Sequence, residues 1–437
     1  MAEGPQSLKS SRIALAFETA GARAAAPTVY IIPNGKVTPV STKASEKRRV
    51  EGNRDPVLCT RMPESFRVSI PMAALIENNG LGELILATFG TDTPSAQLGT
   101  SGAYDHVFTA NDLIKSFTVW LWDTLDPQDI RMCVVDQMTL EVDKESNSVN
   151  FTFDVTGTDM VSSSTFGTAS YINLATDKPK LIPASQAILE YGQGQSTISQ
   201  YWEKITITSK ESPAFGAPGK AAVPAGSSSH RLVVKGDRDT DIQIDFIDMD
   251  GLERKRWRKG GDTLPTATAQ EDVQALTKFR LRLFGNEIGS KEIWGYAHQA
   301  KAGTVTCTWS GTYSGTEPAQ FEVKCSTAAA TDKFMWRKNG GAWSSEVAVT
   351  GSAQTLSDGV TVTFSGTTGQ VLNDTYYGFT FYQRMIEFTS PTNVIEDVNS
   401  SDSTDFYRAT AKLFHESGIG GTKPSMTLRN TKSTTYS

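Results

Sequence analysis

Cysteine and histidine are scarce in this chain, four of each in 437 residues, and neither is arranged for metal chemistry. Cys59, Cys133, Cys307 and Cys325 stand far apart with no C-x-x-C pair. None of His106, His230, His298 and His415 lies three to five residues from another His or Cys, so zinc ligation has no support. Reduced thiols are expected, although Cys307 and Cys325 fall in neighbouring predicted strands and a pairing between them stays open. Nucleotide and hydrolase signatures are absent too: there is no G-x-S-x-G, P-loop or G-x-G-x-x-G. Gly192-Gln-Gly194 lacks the preceding strand and the third glycine of a dinucleotide site. An excess of positive charge is also missing. With 42 basic and 48 acidic residues the net charge is -6, which gives no electrostatic grip on a phosphate backbone. Apolar runs stay short; the longest candidate, Leu81 to Phe89, is interrupted by Glu83, so no membrane span is expected. The opening Met1-Ala-Glu-Gly-Pro-Gln-Ser lacks a basic region followed by an apolar stretch, so no signal peptide is expected.

What the chain has instead is alternation. Met138, Leu140 and Val142 point one way, with Thr139, Glu141 and Asp143 the other. Phe151, Phe153 and Val155 repeat the pattern against Thr152, Asp154 and Thr156. A period of two marks half-buried antiparallel strands. Hydrophobic content of 38% and charged content of 21% fit a globular protein, and the length predicts two or three domains. A mainly β fold without a catalytic constellation points to a non-enzymatic protein whose function is its shape.

Residues 1–40 read as an arm and 41–64 as a long charged loop carrying Lys43, Glu46, Lys47, Arg48, Arg49, Glu51, Arg54 and Asp55. A strand is expected at Phe66–Ile70 and a helix from Met72 to about Phe89, broken near Gly80 and Gly82. A strand meander from Phe108 to Asp159 closes the first half. The second half reads as a repetition in the same element order. Its strand from Ile242 and a helix over Asp248–Lys259 match Phe66–Phe89. Phe279 onward stands for Phe117 onward, Arg384 onward for Arg131 onward, and Phe406–Phe414 for the strand from Val149. Between Ala300 and Gly378 the composition shifts to Gly, Ser, Thr and short strands separated by Asn339-Gly-Gly and Asp358-Gly turns. That pattern reads as an inserted β-sandwich.

Two charged constellations invite a site. The acidic stretch from Asp237 to Asp250 fails as a calcium loop, because Phe246 and Trp257 stand where oxygen ligands belong. Lys255, Arg256, Arg258 and Lys259 around Trp257 fit a solvated helix face or a subunit salt-bridge patch better than a nucleic-acid contact. His106 fits a hydrogen-bonded core or edge histidine better than a base.

Certain stretches resemble the tail tube proteins of long-tailed, non-contractile bacteriophages. They are Ile13-Ala-Leu-Ala-Phe-Glu-Thr; Leu84-Ile-Leu-Ala-Thr-Phe-Gly90; Gly102-Ala-Tyr-Asp-His106-Val-Phe-Thr; Ser116-Phe-Thr-Val; Cys133; Thr139-Leu-Glu-Val; Phe406–Phe414; and Pro424-Ser-Met-Thr-Leu-Arg-Asn430. Gly311-Thr-Tyr-Ser-Gly315, Phe321-Glu-Val and Asp358-Gly-Val-Thr-Val-Thr-Phe364 are similar to small sandwich modules of phage decoration domains and flagellar cap and hook-associated proteins. The resemblance implies tail-tube-type β-barrel or two-sheet domains, each with a flanking helix. Their extents would be 1–160, and 161–299 together with 379–437, with the sandwich at 300–378. It implies stacked rings, assembled in the host cytoplasm into a virion tail, through whose bore DNA passes without specific binding. Tape measure, tail terminator and distal tail proteins would be partners, and no cofactor or membrane would be involved. Family rings hold six tube domains, so two per chain imply a pseudo-sixfold homotrimer, and one a homohexamer; the duplication favours the trimer. Glu141, Asp143 and Asp154 are then the candidates for lining the bore. Lys47, Arg48, Arg49, Glu51, Arg54 and Asp55 are the candidates for ring-to-ring contact. The alternative is a carbohydrate- or receptor-binding virion protein that stacks sugars on Trp309, Tyr313, Trp336 and Trp343, against which these aromatics read more simply as the module's core.

Overall fold

A computed structural model of the chain describes most of residues 12–162, with breaks at 20–23, 43–44, 49–57, 62–64, 75–79, 112–114 and 123–127 and at isolated single positions. Beyond these it describes 181–191, 196–197, 202–211, 214–215, 233–234, 238–247, 276–297, 303–402, 407–415 and 422–436. The first strands are β1 (Arg12–Phe17), β2 (Val29–Ile31), β3 (Val40–Thr42), β4 (Ser45–Arg48), β5 (Leu58–Arg61) and β6 (Ser65–Ala73). Helix α1 (Leu81–Phe89) precedes β7 (Gly90–Pro94), β8 (Tyr104–Ala110), β9 (Phe117–Trp122), β10 (Gln128–Asp143), β11 (Ser148–Gly157) and β12 (Asp159–Ser162). Next come β13 (Ala187–Tyr191), β14 (Ser196–Thr197), β15 (Trp202–Glu211), β16 (Ala214–Phe215), β17 (Val233–Val234), β18 (Arg238–Ile247) and β19 (Leu276–Ala297). Then follow β20 (Cys307–Gly311), β21 (Gln320–Thr327), β22 (Lys333–Lys338), β23 (Val347–Ala348), β24 (Gln354–Thr355) and β25 (Val360–Phe364). The last are β26 (Thr375–Asp402), β27 (Tyr407–His415) and β28 (Ser425–Asn430). The protein is mainly β.

Alternation does what it predicts. Met138, Leu140 and Val142 on β10 and Phe151, Phe153 and Val155 on β11 are buried in one large core. Burial of one such side chain stabilises by about 1.5–3 kcal/mol. The same core takes Val68, Ile70 and Met72 from β6, Ile242, Ile244 and Phe246 from β18, and Leu81, Leu84, Ile85 and Phe89 from α1.

Two expectations are corrected here. The helix starts at Leu81, not Met72: Met72 continues the buried every-other-residue series of Phe66, Val68 and Ile70, so it extends β6 through Ala73. Gly80, at φ 78°, turns the chain into the helix in a left-handed conformation that suits glycine. The stretch 41–64 is not wholly loop, since β4 and β5 pair within it as a hairpin, Lys47 opposite Cys59. Charge density concealed that short strand pair. The helix expected over Asp248–Lys259 lies outside the described residues.

Strand pairing repeats along the chain. In the first half β2–β1–β9–β10 runs to one side, β12 joins the N-terminal part of β10, and β10–β11–β6–β3 continues from its C-terminal part. In the second half β14–β13–β19–β26, β28 on β26, and β26–β27–β18–β15 form the same seven antiparallel pairings in the same chain order. Their irregularities coincide. β10 has two residues, Arg131 and Met132, between Ile130 and Cys133 where β9 has only Thr118 between Val119 and Phe117, a bulge of one extra residue. β26 likewise has two residues, Pro391 and Thr392, between Ser390 and Asn393 where β19 has only Lys278 between Phe279 and Thr277.

Two pairings join the halves. β10 pairs with β15, Gln137 opposite Lys210 through Asp143 opposite Lys204. β28 pairs with β8, Leu428 opposite His106. The segment after β28 folds back on β7 and α1: Tyr436 N–H donates to Asp92 of β7 at 2.8 Å, and Lys432 Nζ lies 3.2 Å from Glu83 of α1. His106 is fully buried, with Nδ1 3.1 Å from Asp92 and Nε2 2.8 Å from the Lys432 carbonyl.

The outer part of the β19–β26 ribbon carries a second core built from Val305, Trp309, Phe321, Val323, Phe334, Val360, Val362, Phe364 and Tyr376. Strand β26 runs unbroken through positions 378 and 379, and β21 pairs with its first residues. Cys307 and Cys325 are both free thiols, on strands of different sheets.

Candidate assembly surface

The face of the long sheet opposite the large core is polar, and pairing register sets its charges side by side. Asp154 on β11 stands between Ser69 of β6 and Gln137 of β10. Glu141 on β10 lies 2.9 Å from Lys204 of β15, an ion pair with both groups well exposed. Glu141 accordingly raises the Lys204 ammonium above its ordinary value. Partial burial pushes the Asp143 carboxyl up, but the N–H groups of Ser146 and Glu145 outweigh it and hold this group below the usual carboxylate range.

Glu141, Asp143 and Asp154 thus share one face of two adjacent strands. That face is not uniformly acidic. Lys204 and Lys210 stand across from Asp143 and Gln137, and beyond them Asp239, Asp241 and Asp245 of β18 face Lys210, Thr208 and Lys204. The alternation seen within single strands could not show this mixing, because it arises between strands that are distant in sequence.

Lys47 and Arg48 sit on β4, in register with Cys59 and Leu58 of β5. Arg49, Glu51, Arg54 and Asp55 fall outside the described residues.

Sequence reasoning did not single out the sheet's open edges. Among the described residues the strand pairings form an open series, in which β3 and the last part of β26 have a described neighbour on one side only. β3 pairs with β6 alone, and Val40 is 60% exposed. On the side of β26 away from β27, pairing with β19 stops at Val394, leaving the stretch to Asp402 without a described neighbour. Unpaired N–H and C=O groups along such edges are templates for another strand.

The second core places the aromatics expected there. Trp309 and Tyr313 are buried within it, and Trp336 packs partly against it. Trp343 instead lies under the Arg337 guanidinium at 4.5 Å and the Lys324 ammonium at 5.0 Å. It borders a polar cavity of about 880 Å³ shared with Glu322, Glu287 and Gln383. Among the described residues no three His, Cys, Asp or Glu side chains gather as metal ligands would, and no helix is long and apolar enough to cross a membrane.

No protein-family model matches the chain, and no curated protein matches it. Among the solved structures that align with it, two do so over most of its length. One, of the infectious bursal disease virus Gt strain, is 7% identical and covers 92% of this chain and 77% of that one, with a TM-score of 0.08. The other, of the Gx strain, is 10% identical and covers 90% and 76%, with the same TM-score. A TM-score that low carries no argument about fold or role.

Proposed function

We propose that this chain is a structural virion protein. In this reading it is a tail tube subunit of a long-tailed, non-contractile bacteriophage, assembled in the host cytoplasm. Copies form rings, the rings stack, and DNA passes down the bore without specific binding. The observation that carries this reading is the sevenfold correspondence of strand pairings between the two halves. One chain then holds two copies of one unit, already joined sheet to sheet through β10 and β15. A unit that joins its copy laterally, and still ends in open edges, is suited to continue around a ring. Three chains supply six units, so the preferred ring is a homotrimer with pseudo-sixfold symmetry; six chains are the alternative. Tape measure, terminator and distal tail proteins are the expected neighbours along the tube.

The polar face carrying Glu141, Asp143 and Asp154 is the proposed lining. Its acids keep phosphate from sticking, and the interleaved lysines keep the repulsion moderate. The hairpin of Lys47 and Arg48, with Arg49, Glu51, Arg54 and Asp55, is the proposed ring-to-ring contact. The outer module is proposed to project from the tube. Negative-stain microscopy of the concentrated protein tests the reading: rings or hollow tubes support it, and dispersed single chains oppose it.

One observation favours a second reading, a virion protein that binds carbohydrate or a receptor. Trp343 borders a polar cavity instead of joining the core. Glycan binding that Trp343→Ala abolishes, by a chain that forms no rings, would favour it.

A further inference from the structure

The correspondence between the halves also bears on how one copy would meet the next, because the pairing that joins β10 to β15 uses one strand from each half and leaves the counterpart of each without a described partner on the corresponding side. Within the chain, the β10 edge is covered by β15: Gln137, Met138 and Thr139 stand opposite Lys210, Ser209 and Thr208. The counterpart of β10 is β26. Each skips one residue against its hairpin partner, Asp136 between Val135 and Gln137, and Glu396 between Ile395 and Asp397. That skip equates Gln137, Met138 and Thr139 with Asp397, Val398 and Asn399. The counterpart of β15 is β3. Val40 opposite Arg67 of β6 corresponds to Thr208 opposite Asp241 of β18, so Val40, Ser41 and Thr42 equate with Thr208, Ser209 and Lys210. Both counterparts are open on the side in question among the described residues.

We infer that β26 of one copy pairs antiparallel with β3 of a second copy, Asp397 opposite Thr42, Val398 opposite Ser41 and Asn399 opposite Val40. This rests on the two-unit ring proposed above and supplies its subunit interface and register. The contact is head-to-tail: β26 and β3 are different edges, so each copy offers one and receives the other. Such an interface closes into a ring or grows open-ended, unlike a self-complementary twofold patch. It also covers two sheet rims that would otherwise promote disordered aggregation. Val40, exposed in the single chain, becomes covered.

The test is thiol cross-linking in the full-length protein. Two double variants are made, Ser41→Cys with Val398→Cys, and Val40→Cys with Asn399→Cys. Adjacent antiparallel pairs alternate between hydrogen-bonded and non-hydrogen-bonded geometry, and one of the two brings its Cβ atoms within disulfide range. Light scattering first gives the mass without oxidant, and far-UV circular dichroism checks that β structure is kept. After mild oxidation, at least one double variant should lose its monomer band on non-reducing gels to linked chains ending at the ring size. The parent chain and the single-cysteine variants should not. Assemblies that form but never link through either pair overturn the inference and leave the ring reading standing. Folded single chains at all concentrations overturn both, as does a link formed within one chain.

Discussion

Asp136 and Glu396 occupy the same place in two different strand pairs: each is the single residue skipped between a long strand and the strand that follows it. A skipped residue turns the side chains beyond it to the opposite face, so its position is tied to which residues face the core. Finding it twice, together with the one-residue bulge nearer the N-terminal end of the β10–β9 and β26–β19 pairings, ties the halves together more firmly than residue identity does.

The skipped Asp136 accepts a hydrogen bond from the Thr156 hydroxyl, and burial raises its carboxyl above the ordinary value. Thr156→Val removes that donor and keeps the shape. The expected cost is about 1–3 kcal/mol of unfolding free energy near neutral pH. Urea denaturation of wild type and variant checks it.

Glu83 on α1 tests the buried seam between the first half and the C-terminal segment. Burial raises its carboxyl above 4.5, and the neighbouring Lys432 offsets only part of this. A carboxyl raised on folding adds stability that is fully present below its unfolded value and lost as pH rises through the folded value. Relative to Glu83→Gln, the wild-type denaturation midpoint should therefore decrease as pH rises from the ordinary carboxylate range, around 4.5, toward neutral.

Gly82 sits against the ring of Tyr436, where an added Cβ would lie 2.1 Å from a ring carbon. Alanine favours a helix by about 1 kcal/mol over glycine, so Gly82→Ala in isolation would stabilise α1. The clash reverses the sign. Gly82→Ala should lower the melting temperature and speed proteolysis of the C-terminal segment, and adding Tyr436→Ala should recover part of the loss.

Burial raises the thiols of Cys133, Cys307 and Cys325, the second to about 12 and the third to about 11. Their thiolate fraction at neutral pH is accordingly small. Peptide mapping should show these three alkylated slowly in the folded protein and rapidly in denaturant.

The lumen reading has its own test. Replacing Glu141, Asp143 and Asp154 together by Lys reverses the charge on two strands and turns the attraction between Glu141 and Lys204 into repulsion. DNA ejection from virions carrying this subunit should slow, measured by dye entry or light scattering. Unchanged ejection kinetics would place the bore elsewhere.

Much of the fold was legible in the chain. The alternation at Met138–Val142 and Phe151–Val155 marks the strands and their buried face, because side-chain direction follows from strand geometry alone. The strands read for the second half, from Ile242, Phe279, Arg384 and Phe406, fall on β18, β19, β26 and β27, whereas the helix placed over Asp248–Lys259 lies outside the described residues. Register was not legible. Matching Arg384 with Arg131 follows residue type, whereas the paired strands equate Arg131 with Pro391, because bulges set the count and leave no compositional mark. Met72 looked helical beside the apolar run that follows, and only its pairing with Phe151 makes it strand. At the candidate surface, Glu141, Asp143 and Asp154 could be placed on one face from alternation. The facing lysines and the open edges depend on contacts between distant segments, and these no single stretch of sequence displays.

The central claim is that two repeated units in one polypeptide continue into a closed ring. Light scattering coupled to size exclusion of the full-length protein tests it most directly. The account predicts a discrete species at three times the 47.4 kDa chain mass, or six times if the ring holds six chains. A single 47.4 kDa species that persists at the highest attainable concentration would contradict it.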